Sequence, residues 1–324
     1  MTGEKALFGA DTPRLVGSAG KARGGPLLIA TAAIHGNEPA GVHALRRVFA
    51  GIEKLELELT GRFVGLIGNR GALVSGKRYI DSDMNRLWSK RKLAELEAGD
   101  PESDTAEQKE QRELLAAIET ELAAPHAEVV HMDLHSTSGD SPPFIVQNGE
   151  ARSLELAREL GVPVLHGLLK NLDGTVLDLG AARGFTCVVL EAGQNEAAST
   201  IDNHESALWL TLCSAGVIAD EPRLELDLHR ERIARSTSGI PAAVEICLRY
   251  AIEPEERFTM LPGFKSFERV AQGQLLALGG ASGRREIRSP MSGILIMPRY
   301  QGQGQDGFFL ARPVPSHPGG LRVA

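Results

Sequence analysis

Ala32-Ala33-Ile34-His35-Gly36-Asn37-Glu38-Pro39-Ala40-Gly41 joins an apolar run to an amphipathic helix. Residues 27–34 are continuous and apolar, bounded by Gly25-Pro26 and Gly36, a pattern that predicts a buried strand. Asn37 suits a helix N-cap and Pro39 a first helical turn. Val42, Leu45 and Phe49 then recur at helical spacing over residues 40–49. A strand-to-helix corner of this kind can aim two side chains at one spot. His35 and Glu38, the polar residues of the corner, are both good zinc ligands.

The same alternation continues on either side. Residues 1–25 are Gly-rich and polar and predict a short edge strand, and residues 62–68 predict a second strand. Residues 69–88 show no periodicity and many polar side chains, which predicts a functional loop. Residues 90–104 read as charged and exposed, and residues 105–122 as a helix with Leu114, Leu115, Ile118 and Leu122 on one face. Strands are predicted at 128–134, 144–147, 162–165 and 185–190, and helices at 151–160 and 199–215. The first of these strands runs into His135-Ser136-Thr137 and the last into Glu191-Ala192-Gly193. Alternation of this kind predicts an α/β fold, a mixed, largely parallel sheet flanked by helices. After residue 236 the helical period disappears, and residues 245–252, 267–270, 275–278, 293–297 and 308–311 read as strands. Two domains are expected, 1–235 and a smaller, mostly β domain, 236–324.

With 324 residues and a formal net charge of −7, the chain is a poor partner for nucleic acid or an acidic membrane. Residues 1–10 lack the charged start and apolar core of a signal peptide, and no apolar run is long enough to span a bilayer. The three cysteines, Cys187, Cys213 and Cys247, follow no CxxC spacing, so buried thiols in a reducing cytoplasm are expected. No repeat or coiled-coil heptad occurs.

A hydrolytic metal site is the chemistry these residues point to. His35 and Glu38 form an HxxE pair, and His135 ends a different strand. Two histidines and one carboxylate leave a fourth zinc position for water, whereas a closed structural site favours four ligands. Along its strand His131, Asp133 and His135 face one way, so that Asp133 can accept a ring N–H from a ligating histidine. His131 reads as an ordinary core or surface histidine, and His43, His126, His166, His204, His229 and His317 as histidines with no special role. Glu191, at the end of its strand, is the candidate base that takes a proton from water and returns it to the leaving amine.

Five motifs in order make a specific resemblance. His35 with Gly36-Asn37-Glu38-Pro39-Ala40-Gly41, Arg78-Tyr79-Ile80-Asp81, Asp83-Met84-Asn85-Arg86, Asp133-Leu134-His135-Ser136-Thr137 and Leu190-Glu191-Ala192-Gly193 resemble the succinylglutamate desuccinylase/aspartoacylase family of zinc carboxypeptidase-like amidohydrolases. The resemblance spans about the first two thirds of the chain. It implies a carboxypeptidase-like sheet, one zinc per chain on His35, Glu38 and His135, and Glu191 as general acid/base. It also implies that Arg78 polarises the scissile carbonyl, and that Asn85 and Arg86 grip a substrate carboxylate. Read from the residues alone, the arginines could equally pair with Asp81 and Asp83 and hold the loop.

The expected activity is hydrolysis of a linear amide in a small N-acyl amino acid. The acyl group is open among aspartoacylase, succinylglutamate desuccinylase and acetyl-diamino-acid deacylase activities. Two other readings stand beside it, a metallocarboxypeptidase acting on peptides and a non-catalytic metal- or ligand-binding protein. The sequence leaves a homo-oligomer open. Ser289-Pro290-Met291-Ser292-Gly293-Ile294-Leu295 resembles the turn of lipoyl-carrier-like β domains, but that area lacks the modifiable lysine. The sequence does not place Arg284, Arg285 and Arg288 relative to the pocket mouth.

Overall fold

The structure is a computed structural model describing residues 8–21, 23–170 and 172–315. Its first half runs β1 (Leu15–Gly20), β2 (Leu27–Ala32), α1 (Ala40–Lys54), β3 (Arg62–Ile67), α2 (Arg70–Ser75), α3 (Lys90–Ala98), α4 (Ala106–Leu122) and β4 (Val129–Thr137). Next come β5 (Phe144–Gln147), α5 (Ala151–Leu160), β6 (Val164–His166), α6 (Val176–Arg183), β7 (Thr186–Gln194), α7 (Ala198–Ser214) and α8 (Leu226–Ser236). The remainder is β8 (Ala243–Ala251), β9 (Thr259–Met260), β10 (Arg269–Val270), β11 (Leu275–Gly279), β12 (Arg285–Arg288), β13 (Gly293–Ile296) and β14 (Asp306–Pro313).

Eleven strands form one sheet in the order β1-β3-β2-β4-β7-β5-β6-β8-β14-β13-β10, and β12-β11-β9 form a second. The centre, β3-β2-β4-β7, is parallel. β5 enters antiparallel to β7, and β6 and β8 then add in parallel. From β8 through β14, β13 and β10 the pairing is antiparallel. The architecture is the mixed, largely parallel α/β sheet with a C-terminal antiparallel region that the alternation predicts.

β2 shows why the sheet is central. All six of its residues are buried. Leu28, Ala30 and Ala32 join the core under α1, α5 and α7, while Leu27 and Ile29 join the core under α4 and α6. A strand covered on both faces favours apolar residues on both, and the one polar residue of β2, Thr31, is hydrogen-bonded to Asp133. Each large side chain buried in this way stabilises the fold by roughly 1.5–3 kcal/mol.

Several local expectations change. Pro39 occupies the N-cap of α1 without a side-chain cap bond, and Asn37 instead donates to Gln301 Oε1 at 2.8 Å. β4 and β7 extend to Thr137 and Gln194, so His135 and Glu191 lie within strands. The polar stretch 69–88 contains α2 and a short 3-10 turn, Met84–Arg86. Three helices, α3, α6 and α8, have no counterpart in the sequence reading: α3 falls in the stretch read as charged and exposed, α6 is short and contains Gly180, and α8 is rich in charge with only Leu226 and Ile233 buried. Of the cysteines only Cys187 is buried; Cys213 is half-buried and Cys247 exposed. Among the described residues no helix is long and apolar enough to cross a membrane. His317 and residues 1–7 lie outside the described residues.

Candidate metal centre

The corner after β2 is held by close backbone approach. Ala33 adopts a left-handed φ of 56°. Gly68 and Asn69, following β3, donate to the Ala32 and Ala33 carbonyls at 2.7 and 2.8 Å. Gly36 must be glycine, because a Cβ there would lie 2.0 Å from the Ala72 carbonyl carbon of α2. The turn closes through Glu38 N–H to the His35 carbonyl at 3.1 Å. His135 on β4 is the register partner of Glu191 on β7. His35, Glu38, His135 and Glu191 therefore meet at the C-terminal ends of neighbouring parallel strands, where open α/β sheets place their sites.

Glu38 sits between the two histidines. Its Oε1 lies 2.9 Å from His35 Nδ1 and its Oε2 lies 3.0 Å from His135 Nδ1. The opposite ring nitrogens face carboxylates: His35 Nε2 is 3.0 Å from Asp83 Oδ1, and His135 Nε2 is 2.6 Å from Asp133 Oδ2. Thr31 donates to Asp133 Oδ1 at 2.6 Å and lies 3.0 Å from His131 Nε2. One candidate ligand atom from each of His35, Glu38 and His135 falls within 4.8 Å of the others, and all three residues are buried. With each Nε2–H donating to its aspartate, both Nδ1 lone pairs point at an anionic carboxylate. A proton or a metal cation among the three relieves that repulsion, so with the proton displaced the donor set fits a metal ion.

The electrostatics agree with this geometry. Burial alone would raise the Glu38 carboxyl, yet His35 and His135 hold it well below its ordinary value. Burial likewise opposes the ionised forms of Asp83 and Asp133, but His35 and Arg78 depress Asp83, and His135 depresses Asp133. His135 moves well above its ordinary value, because Asp133 and Glu38 outweigh its burial. Burial pushes His131 down to about 4, leaving it a neutral core histidine. Glu191 goes the other way: burial raises it to about 7, Glu38 adding to the rise while His135, His35 and Arg78 oppose it. Its Oε2 is buried with no hydrogen-bond partner. A carboxyl poised near neutrality with an unsatisfied oxygen can accept and return a proton.

Residues 78–86 bring the polar loop to the same cleft. Arg78 spans Glu38 Oε1 and Asp83 Oδ2, each at 3.2 Å, and its Nε is buried without a partner. Arg86 reaches Asp306 at 3.4 Å, and Asn85 Oδ1 accepts the Val176 N–H at 3.0 Å. The loop-holding reading is realised in part: Arg78 pairs with Asp83, while Asp81 accepts instead from the Ala106 N–H that begins α4. Glu107, fully buried on α4, accepts from the N–H groups of Ile80, Asp81 and Ser82 at 2.7, 2.9 and 3.1 Å. It also accepts from Asn69 Nδ2 at 3.1 Å.

All seven residues singled out from the sequence, His35, Glu38, Arg78, Asn85, Arg86, His135 and Glu191, line one cleft. The cleft opens to solvent. Its far wall comes from the segment between β13 and β14. Gln303 accepts from the Arg78 N–H and donates to the Tyr79 carbonyl, both at 3.1 Å, and the Tyr300 N–H donates to Ser138 at 2.9 Å. Arg285 and Arg288 pair with Glu256 and Glu286 on the small sheet and, like Arg284, do not line the cleft. Sequence reading did not single out Glu107, Arg299 and Asp306. Glu107 lies in an ordinary helical pattern, and the other two lie in a segment without motif, so no local signal marks them.

Residues 24–207 match the sequence profile described as the succinylglutamate desuccinylase/aspartoacylase catalytic domain. The chain is 29% identical over 255 residues to a succinylglutamate desuccinylase of Ectopseudomonas mendocina, covering 67% of this chain and 68% of that one. It is 31% identical over 294 residues to a succinylglutamate desuccinylase of Pseudomonas putida (strain GB-1), covering 77% and 82%. Among solved structures, the product-bound ectoine utilization protein EutE (DoeB) of Ruegeria pomeroyi superposes with a TM-score of 0.62 at 20% identity, over 90% of this chain and 86% of that one. At that identity the superposition speaks for the fold.

Proposed function

The chain belongs to the succinylglutamate desuccinylase/aspartoacylase family, and on that premise we propose that it hydrolyses the amide bond of a small N-acyl amino acid at one zinc ion held by His35, Glu38 and His135. The observation that carries this reading is the pair of histidine Nδ1 atoms flanking the Glu38 carboxylate, with each Nε2 on an aspartate. When bound, zinc supplies Lewis acidity, activating water near neutral pH and polarising the substrate carbonyl.

This chain's residues do the rest. Glu191 takes the proton from the attacking water and delivers it to the departing amine, the two uses suiting a carboxyl raised to about 7. Arg78 holds a positive charge beside the reacting carbonyl, its Nε free to donate to the oxygen as charge develops there. Asn85 and Arg86 line the path by which a substrate carboxylate enters. The segment between β13 and β14, tied to Arg78, Tyr79 and Ser138, closes one side of the cleft and favours a small molecule over a peptide.

The experiment is chelation of the purified protein, zinc add-back, and assay on a panel of N-acyl amino acids and short peptides. The proposal expects amide hydrolysis of small substrates that vanishes with the metal and returns with zinc. Activity indifferent to chelation would remove the metallohydrolase reading, and faster cleavage of peptides would favour the carboxypeptidase.

A further inference from the structure

The charges lining the cleft are nearly all committed to one another. Four carboxylates, Glu38, Asp83, Glu191 and Asp306, face three guanidinium groups, Arg78, Arg86 and Arg299. Arg78 is held by Glu38 and Asp83, and Arg86 by Asp306. Among the described residues no carboxylate comes within ion-pair distance of Arg299. Its Nη1 donates to the carbonyls of Gly304 and Gly302 at 2.8 and 3.4 Å, its Nε is buried with no acceptor, and the guanidinium lies 5.3 Å from the Phe258 ring centroid. A partly desolvated cation with no ion pair, on which Asp306 acts only from beyond contact distance, is a site for an anionic ligand.

The wall formed by Leu168, Leu169 and Leu172 has the opposite character. Leu168, Leu169 and Leu172 line the cleft and pack onto the core below α4 and α6, continuous with Leu177 and Val189. Lys170, the charged residue between them, is exposed and pairs with Glu245, away from the lining. A second carboxylate on a substrate would find here no unpaired cation, only leucines on one side and, on the other, Arg78 and Arg86 already paired with carboxylates.

From this we infer that the cleft selects an N-acyl amino acid bearing one carboxylate and an apolar arm, with Arg299 binding the carboxylate and Leu168, Leu169 and Leu172 receiving the arm. The inference rests on the deacylase reading for its reaction, but the selectivity is a property of the cleft.

The test compares kcat/KM of the zinc-loaded protein for N-acetyl-L-leucine and N-hexanoylglycine with that for N-acetyl-L-aspartate and N-succinyl-L-glutamate. At least one mono-carboxylate should exceed both multiply charged substrates by about tenfold or more. Arg299→Met should raise KM for that substrate about tenfold while leaving kcat within about threefold, and Arg299→Lys should recover part of the loss. Multiply charged substrates turned over faster than both mono-carboxylates, or an unchanged KM in Arg299→Met, would overturn the inference while leaving the deacylase intact. Calorimetry on the zinc-loaded Glu191→Gln protein separates the two ideas. Tighter binding of N-acetyl-L-leucine than of N-acetyl-L-aspartate, with no amide cleaved by the unsubstituted enzyme, would support the selectivity and sink the deacylase.

Discussion

Glu38 is the residue on which the centre turns. Each of its oxygens faces one imidazole, and each also accepts a second donor, Arg78 at 3.2 Å and the Ser136 N–H at 3.1 Å. The aspartates behind the histidines fix which ring nitrogen points inward. Asp133→Ala should therefore weaken zinc binding by about 10–100-fold without touching a ligand. The pH sign follows from His135, which Asp133 and Glu38 keep protonated above its ordinary pKa against its burial. Zinc must displace that proton, so affinity falls as pH drops below the raised pKa, by about tenfold per pH unit for one proton. Calorimetry in buffers of differing ionisation enthalpy should find net proton release on zinc binding at pH 7, and less in Asp133→Ala. These candidate ligands were readable from sequence because zinc chemistry restricts residue types and strand period fixes the face on which His135 and Asp133 lie. The chemistry of the pocket was less so: Asp83 was readable as an arginine partner, but its bond to His35 exists only once the loop folds over the corner.

The loop 78–86 depends on a single side chain of α4. Glu107 satisfies three consecutive backbone N–H groups and Asn69 with one buried carboxylate, so the loop's position is set from a helix. Glu107→Ala leaves those donors unpaired in the interior, at a cost of about 1–3 kcal/mol for each group that water cannot reach. It should lower stability in urea and, under conditions where the protein remains folded, reduce kcat/KM about tenfold or more by loosening Arg78 and Asn85. Kinetics matching the parent in folded protein would show that the loop holds itself. The elements themselves were legible where one period dominated: β2, β3, α4, β5 and α5 fall close to their expected bounds, while α1 runs on to Lys54. α8 escaped because its sequence is charged on most faces, and Asn37 did not cap α1 because a distant glutamine offers it a partner.

The main sheet does not stop where the helical pattern ends. β8 pairs in parallel with β6, and Val244, Ile246 and Phe309 share a core with Leu165 and Val189. Residue 236 precedes a change from parallel to antiparallel pairing, with the sheet itself continuous. A chain ended at residue 235 should expose the β6 edge and that apolar face, and should be recovered aggregated or with a much lower denaturation midpoint. A truncated protein with the parent's midpoint would show that the two parts fold separately. Sequence located the change of pattern but not the return of residues 297–306 to the cleft, since a segment crossing the molecule leaves no local signal. Arg299 and Asp306 were invisible for that reason.

The account's central claim is that His35, Glu38 and His135 hold a metal that Glu191 uses. It is tested most directly by measuring zinc content and N-acyl amino acid hydrolysis on the same samples of the parent protein, His135→Ala and Glu191→Gln. The account predicts one zinc and activity for the parent, neither for His135→Ala, and one zinc with kcat reduced at least about 100-fold for Glu191→Gln. A His135→Ala protein that keeps its zinc and its activity would contradict it.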